Sequence, residues 1–173
     1  MSLSLILAVS DNGVIGKDGK IPWFVRGEQK RFKEITMGHP IIMGRKTFET
    51  PKTYESKSQL LPGRLNVVIT RQKDYTVPRG GVVVHSLPEA MSLPRVKEAE
   101  EAFVIGGEEV LKEALPLADR IYLTRVHASV EGDRFFNFDE SEWRQVSCEY
   151  HKKDEVPDRP FDFEICTLER RKK

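Results

Sequence analysis

The stretch AFVIGGEEVLKEAL, residues 102–115, decides the fold class. Ala102 to Ile105 is a short apolar strand that runs straight into Gly106-Gly107, and Glu108 to Leu115 then reads as a helix. The same strand–turn–helix order extends upstream. Leu3 to Val9 is an apolar run ending at the turn signal Ser10-Asp11-Asn12-Gly13, followed by a glycine-rich loop to Val25. Glu28 to Met37 predicts a helix, with Phe32, Ile35 and Thr36 at helical spacing and Gly38 as its stop. Pro40 to Gly44 is a strand, and a short helix opens at Arg45-Lys46-Thr47. Thr50 to Gly63 is a polar loop. Leu65 to Thr70, rich in Val and Ile, suits a strand buried on both faces. Val82 to Val84 is another strand, a helix from Ser86 covers Leu87 to Met91, and Lys97 to Glu101 is a charged connector. Downstream, Arg120 to Val126 is a strand. Arg134 to Phe138, Trp143 to Tyr150 and Phe161 to Leu168 suggest strands joined by polar turns at an antiparallel edge. This alternation predicts an α/β fold: a mainly parallel central sheet with flanking helices and a C-terminal antiparallel strand.

The 173 residues suit one domain, 39% of them hydrophobic, enough for a substantial core. Lys and Arg total 28 against 27 for Asp and Glu, a net charge of +1 that argues against a nucleic-acid binder or a charge-held membrane protein. No apolar run is long enough to span a bilayer, and the start has no basic leader, so a soluble, cytoplasmic protein is expected. Cys148 and Cys166 cannot build a zinc ribbon or a disulfide scaffold. One disulfide between them stays open, with a reduced pair the favoured reading. His39, His85, His127 and His151 are scattered without metal-ligand spacing, so no metal is expected, and no Ser-His-Asp or Cys-His arrangement is readable.

Several strand ends carry chemistry. Gly106-Gly107 lets a ligand approach the backbone before a helix start, although a plain tight turn explains the pair equally well. Gly44-Arg45-Lys46-Thr47 and Thr70-Arg71 place hydroxyls and cations at two more strand ends. Each could be a solvated basic turn, but together they suit a nucleotide with several phosphates at the carboxyl edge of the sheet. Glu28, at a helix start, is either a surface carboxylate complementing the helix dipole or an acid facing a cleft. In a cleft it could accept two hydrogen bonds from an amidine-like heterocycle, and burial would raise its pKa. Trp23 reads as a core anchor or a site residue, and Arg64 as a surface residue or a carboxylate clamp.

Taken in order, Val14-Ile15-Gly16, Ile21-Pro22-Trp23, Phe32-Lys33, Ile42 to Glu49, Leu61-Pro62-Gly63-Arg64, Val104 to Gly107, Tyr122-Leu123-Thr124 and Glu131-Gly132-Asp133 resemble the dihydrofolate reductase family from about Leu3 to Leu168. The resemblance implies a single reductase domain over residues 1–173, with about 39–85 holding the adenosine and the remainder forming the loop and substrate part. It implies reduction of 7,8-dihydrofolate to tetrahydrofolate with NADPH, by hydride transfer to C6 and protonation of N5. Glu28, Trp23 and Thr124 take the catalytic positions. Ile6, Leu7, Ala8, Phe32, Lys33, Leu61 and Arg64 join Glu28 and Thr124 at the substrate, Arg64 as the clamp for its α-carboxylate. Ala8, Ile15, Gly16, Gly19, Trp23, Gly44, Arg45, Lys46, Thr47, Thr70, Arg71, Ile105, Gly106, Gly107, Glu108, Glu109 and Val110 fall at the cofactor, with Gly106-Gly107 as the family's cis glycine pair. The loop from Ser10 to Phe24 becomes a lid that Asp133 steadies by hydrogen bonds. Antifolate inhibitors and a monomeric chain are implied as well. Leu111 stands where the family usually has a tyrosine near the nicotinamide, Gln29 where it has an apolar pterin contact, and Asn137 where it often has proline. Two alternatives remain open at this point: a pyrimidine-nucleotide reductase of the same general fold, for which Glu28 and Arg64 have no use, and a nucleotide-binding homologue that has lost catalysis.

Overall fold

A computed structural model of the chain describes residues 1–19, 27–50, 60–153 and 161–172. In chain order its elements are β1 (Ser2–Ser10), β2 (Val14–Gly16), α1 (Glu28–Thr36), β3 (Ile41–Gly44), α2 (Arg45–Glu49), β4 (Asn66–Ile69), β5 (Gly81–Val84), α3 (Leu87–Ser92), α4 (Pro94–Lys97), β6 (Glu101–Gly106), α5 (Glu108–Ala114), β7 (Arg120–Val126), β8 (Arg134–Phe135), β9 (Trp143–His151) and β10 (Phe163–Arg170). Eight strands form one sheet in the order β5-β4-β3-β6-β1-β7-β10-β9. The five pairings from β5 to β7 are parallel, and β10 runs antiparallel to both neighbours, as the sequence predicts.

The central strands are buried on both faces because each face has its own apolar layer. Leu3, Leu5, Leu7 and Val9 of β1 point into one cluster with Leu87 of α3 and Val110, Leu111 and Ala114 of α5. Ile6 points the other way, into a second cluster with Ile41, Met43, Phe48 and Phe103, against which Phe32 and Ile35 of α1 pack. Such alternation follows from the two-residue period of a strand. Each fully buried aliphatic side chain here contributes about 1.5–3 kcal/mol. The helix starts follow local chemistry. Ser86 caps α3 by accepting from Glu89 N–H at 3.1 Å, whereas α1 begins after Gly27 at φ 91° with no side-chain cap.

Three expectations are corrected. The charged connector expected from Lys97 to Glu101 begins later, because Lys97 closes a helical turn, α4, whose Val96 is fully buried. The strand expected over Arg134 to Phe138 is only two residues long and does not join the sheet edge. It pairs with β2, inside the segment read as loop, as a separate two-stranded ribbon. Phe136, the next residue, is 2% exposed in the core, and its N–H donates to Gly13 O at 2.9 Å. Finally, Cys148 and Cys166 face each other across β9 and β10 and are joined as a disulfide rather than held as a reduced pair.

Candidate active site

Because the strands are parallel, the ends of β1, β3, β4 and β6 reach the same edge of the sheet, where open α/β sheets place their ligands. The decisive contact lies there. Thr124 on β7 is fully buried between Ala8 of β1 and Ile165 of β10, and its hydroxyl donates to Glu28 Oε1 at 2.6 Å. Glu28 is the first residue of α1, so a helix packed on the sheet presents its opening acid to a β-strand hydroxyl 96 positions away. The second carboxylate oxygen, Oε2, is buried without a partner among the described residues. Burial pushes the Glu28 pKa above the ordinary glutamate value. The Thr124 bond, the Arg31 guanidinium and the nearby His151 side chain oppose that rise. An acid with one oxygen fixed and the other unsatisfied suits a ligand that donates hydrogen bonds. Ile6, Phe32, Phe48, Phe103 and Ile105 share the apolar layer on this face of the sheet. Ala8 follows on the same face as Ile6 and opposite Thr124 in register. Leu7 is not brought there, since its side chain belongs to the opposite layer.

The described part of the loop after β1 is tied to residues 130–136. Asn12 binds the Val130 backbone twice, donating from Nδ2 at 2.8 Å and accepting from the Val130 N–H at 3.1 Å. Asp133 donates its N–H to Gly16 O at 3.0 Å, and its carboxylate accepts from Asp18 N–H at 3.1 Å. Lys17 pairs with Glu131 at 2.9 Å. The hydrogen bonds expected of Asp133 toward this loop are present. Ile15, Gly16 and Gly19 lie on the braced segment, while Trp23 lies outside the described residues, as does most of the Thr50 to Leu60 segment.

On the cofactor side, Gly106-Gly107 is a cis peptide, as expected, and Gly106 has φ 146°. A Cβ on Gly106 or Gly107 would meet Thr47 Oγ1 at 3.3 or 3.2 Å, so only glycine leaves this surface open beside α2. Gly44 closes the same cradle, where a Cβ would sit 3.4 Å from Val110. Arg45 is engaged by Glu49, which it meets with one nitrogen at 2.9 and 3.2 Å, and Tyr75 donates to the same carboxylate. Lys46, Arg71 and Glu109 are exposed. Thr70 is buried at the end of β4, with its hydroxyl accepting from Gln72 N–H. Glu108 turns toward Lys112 and β8. Leu111, where a tyrosine is usual, is 2% exposed and part of the core, so it offers the cleft no polar group.

Arg64 is half-buried and held from two sides, Nε donating to Pro62 O at 3.0 Å and Nη1 to Thr36 Oγ1 at 3.1 Å. Burial lowers its pKa, and it has no carboxylate partner among the described residues. It lines an open cavity of about 510 Å³ with His39, Arg95 and Glu98. Leu61 packs partly buried near it, and Lys33 is exposed on α1. Arg31 and His151, which neighbour Glu28, escaped the sequence reading. Arg31 carried a signal, three residues beyond Glu28 on one helix face. His151 carried none, because β9 reaches this region only through sheet pairing.

A family model for dihydrofolate reductase matches residues 2–170. The chain belongs to the dihydrofolate reductase family. It is 42% identical over 170 residues to the dihydrofolate reductase of Bacillus subtilis, covering 98% of this chain and 95% of that one. It is 38% identical over 173 residues to the type 3 dihydrofolate reductase of Salmonella typhimurium, covering 99% and 100%. Among solved structures, the dihydrofolate reductase of Enterococcus faecalis complexed with NADP(H) and RAB-propyl superposes with a TM-score of 0.83 at 33% identity, over 99% of this chain and 97% of that one. Membership of the family disfavours the pyrimidine-nucleotide alternative.

Proposed function

We infer that this chain is an NADPH-dependent dihydrofolate reductase, converting 7,8-dihydrofolate to 5,6,7,8-tetrahydrofolate. The observation that carries this reading is the buried Glu28–Thr124 pair with its unsatisfied Oε2, set at the carboxyl edge of the sheet in a chain of this family. The residues fit the cofactor: a surface kept clear by Gly44, Gly106 and Gly107 adjoins the hydroxyl of Thr47 and the cations of α2. When bound, NADPH supplies the hydride that reaches C6 of the pterin.

The remaining work falls to this chain's own groups. Glu28 would accept hydrogen bonds from the pterin's 2-amino group and N3–H, fixing the ring's orientation. Thr124 holds Oε1, leaving Oε2 for the second of those bonds. A raised pKa lets Glu28 exchange its proton closer to neutral pH and so support protonation of N5 by solvent. Ile6, Ala8 and Phe32 would exclude water from the ring. Arg64, already aimed by Thr36 and Pro62, would clamp the α-carboxylate of the substrate's glutamate, with Leu61 and Lys33 beside it. Arg71 and Lys46 would meet the 2′-phosphate that separates NADPH from NADH, and Trp23 would close over the cleft with the lid. The proposal includes one reductase domain with the adenosine held by residues 39–85, a monomer, a cytoplasmic site of action, and antifolates as inhibitors. No helix among the described residues is long and apolar enough to cross a membrane. The test is loss of NADPH absorbance with dihydrofolate present. A folded sample that oxidises no NADPH would refute the reading.

A further inference from the structure

Glu108 has a role that its place beside the glycine pair does not require. It opens α5, yet its carboxylate turns away from its own helix start toward three donors on two elements. Oε1 accepts from Lys112 Nζ at 2.8 Å and from the Phe135 N–H at 3.4 Å, and Oε2 lies 3.6 Å from Arg134 Nη1. The side chain is 16% exposed, although Lys112 and Arg134 are each more than half exposed. Together these contacts pull the Glu108 pKa below the ordinary glutamate value.

Arg134 and Phe135 make up β8, whose strand partner is β2 and not the central sheet. In register, Val14 faces Phe135 and Gly16 faces Arg134, and the preceding residue, Asp133, holds Gly16 and Asp18. The ribbon that braces the lid is thus anchored at its far edge by a carboxylate on α5, which starts directly after Gly106-Gly107. We infer that Glu108 is a positioning residue: it ties the lid-bracing β8 strand to the helix that follows the glycine pair, so that the lid root keeps a set position relative to the cofactor surface. This rests on the reading of residues 10–24 as a lid over that surface.

Charge separates this from the simpler account. An acid beside an anionic diphosphate repels it, so removing the charge alone would tighten NADPH binding. The tether demands the reverse. Exposed and partly exposed contacts of this kind sum to an expected weakening of about 3- to 10-fold in NADPH affinity for Glu108→Gln, and more for Glu108→Ala, with kcat at saturation changed much less than KM.

Amide hydrogen exchange over residues 13–18, followed by mass spectrometry without cofactor, tests the tether separately from the proposed reaction, which parent turnover checks. Exchange should quicken in Glu108→Ala and in Arg134→Ala. In a double-mutant cycle on NADPH affinity, Glu108→Gln with Arg134→Ala should be no weaker than the worse single variant. Glu113→Gln, the same charge change later on the same helix, should match the parent. Tighter NADPH binding in Glu108→Gln, unchanged exchange, or fully multiplicative effects would each overturn the tether. Should Glu108→Ala fail to fold, Arg134→Ala, altered at a half-exposed side chain, carries the test alone.

Discussion

Replacing Glu28 by glutamine is expected to stabilise the protein while slowing its chemistry. In the folded chain one carboxylate oxygen accepts from Thr124 at 2.6 Å and the other is buried without a partner among the described residues. Burial dominates, and it raises the Glu28 pKa. A carboxyl group with a higher pKa folded than unfolded binds more protons in the folded state. Its contribution favours folding below the unfolded value, near pH 4.5, and that advantage drains away as pH rises through the folded value. Above that point the ionised group burdens the fold. A buried unsatisfied polar atom costs about 1–3 kcal/mol, and more when charged. Glutamine keeps the bond from Thr124 but leaves an amide N–H unpaired, so it recovers only part, roughly 1–2 kcal/mol at alkaline pH. For a chain of this length that is a rise of about 2–8 °C in the thermal midpoint. Calorimetry of both proteins at about pH 5 and about pH 8 reads it out, with the gap widening toward alkaline pH. Over the same range, single-turnover hydride transfer should fall by about 100-fold or more in the variant. Equal midpoints at alkaline pH, or a gap that does not change with pH, would show that the carboxylate is solvated and refute the reasoning.

Three further outcomes follow from the same geometry. Thr124→Val removes the bond that favours the ionised acid, so the pKa of Glu28 rises and the pH–rate profile moves to higher pH; an unmoved profile counts against the pairing. Arg64→Ala removes a charge-assisted carboxylate clamp worth about 1.5–3 kcal/mol, so KM for dihydrofolate should rise roughly 10- to 150-fold with NADPH affinity unchanged, as initial-rate kinetics and cofactor titration will show. Gly107→Ala places a methyl 3.2 Å from Thr47 Oγ1 and should weaken NADPH more than folate, measured by fluorescence titration of each ligand.

The parallel sheet was legible because apolar runs such as 41–44, 66–69 and 102–105 are short, β-branched or aromatic, and bounded by glycine or polar turns. The helix starts at Glu28 and Glu108 were legible for a similar local reason. Short elements were not. α4 and β8 span 4 and 2 residues, too few for any period to show. The β2–β8 ribbon is invisible locally because Val14 and Phe135 meet only after some 120 residues of chain have folded. Resemblance supplied the roles of Thr124 and Asp133, which no local pattern singles out.

By itself the amino-acid sequence determined which segments alternate strand and helix, where glycine must stand, and that one acid opens the first helix. These follow from periodicity and backbone sterics, which act within a few residues. Only the tertiary structure decided that Glu28 is buried against Thr124, that Arg31 and His151 bias its charge, that Cys148 and Cys166 face each other, and that Glu108 reaches β8. Proton affinity and ion pairing depend on distance through space and on exclusion of water, and both are set by how the layers close.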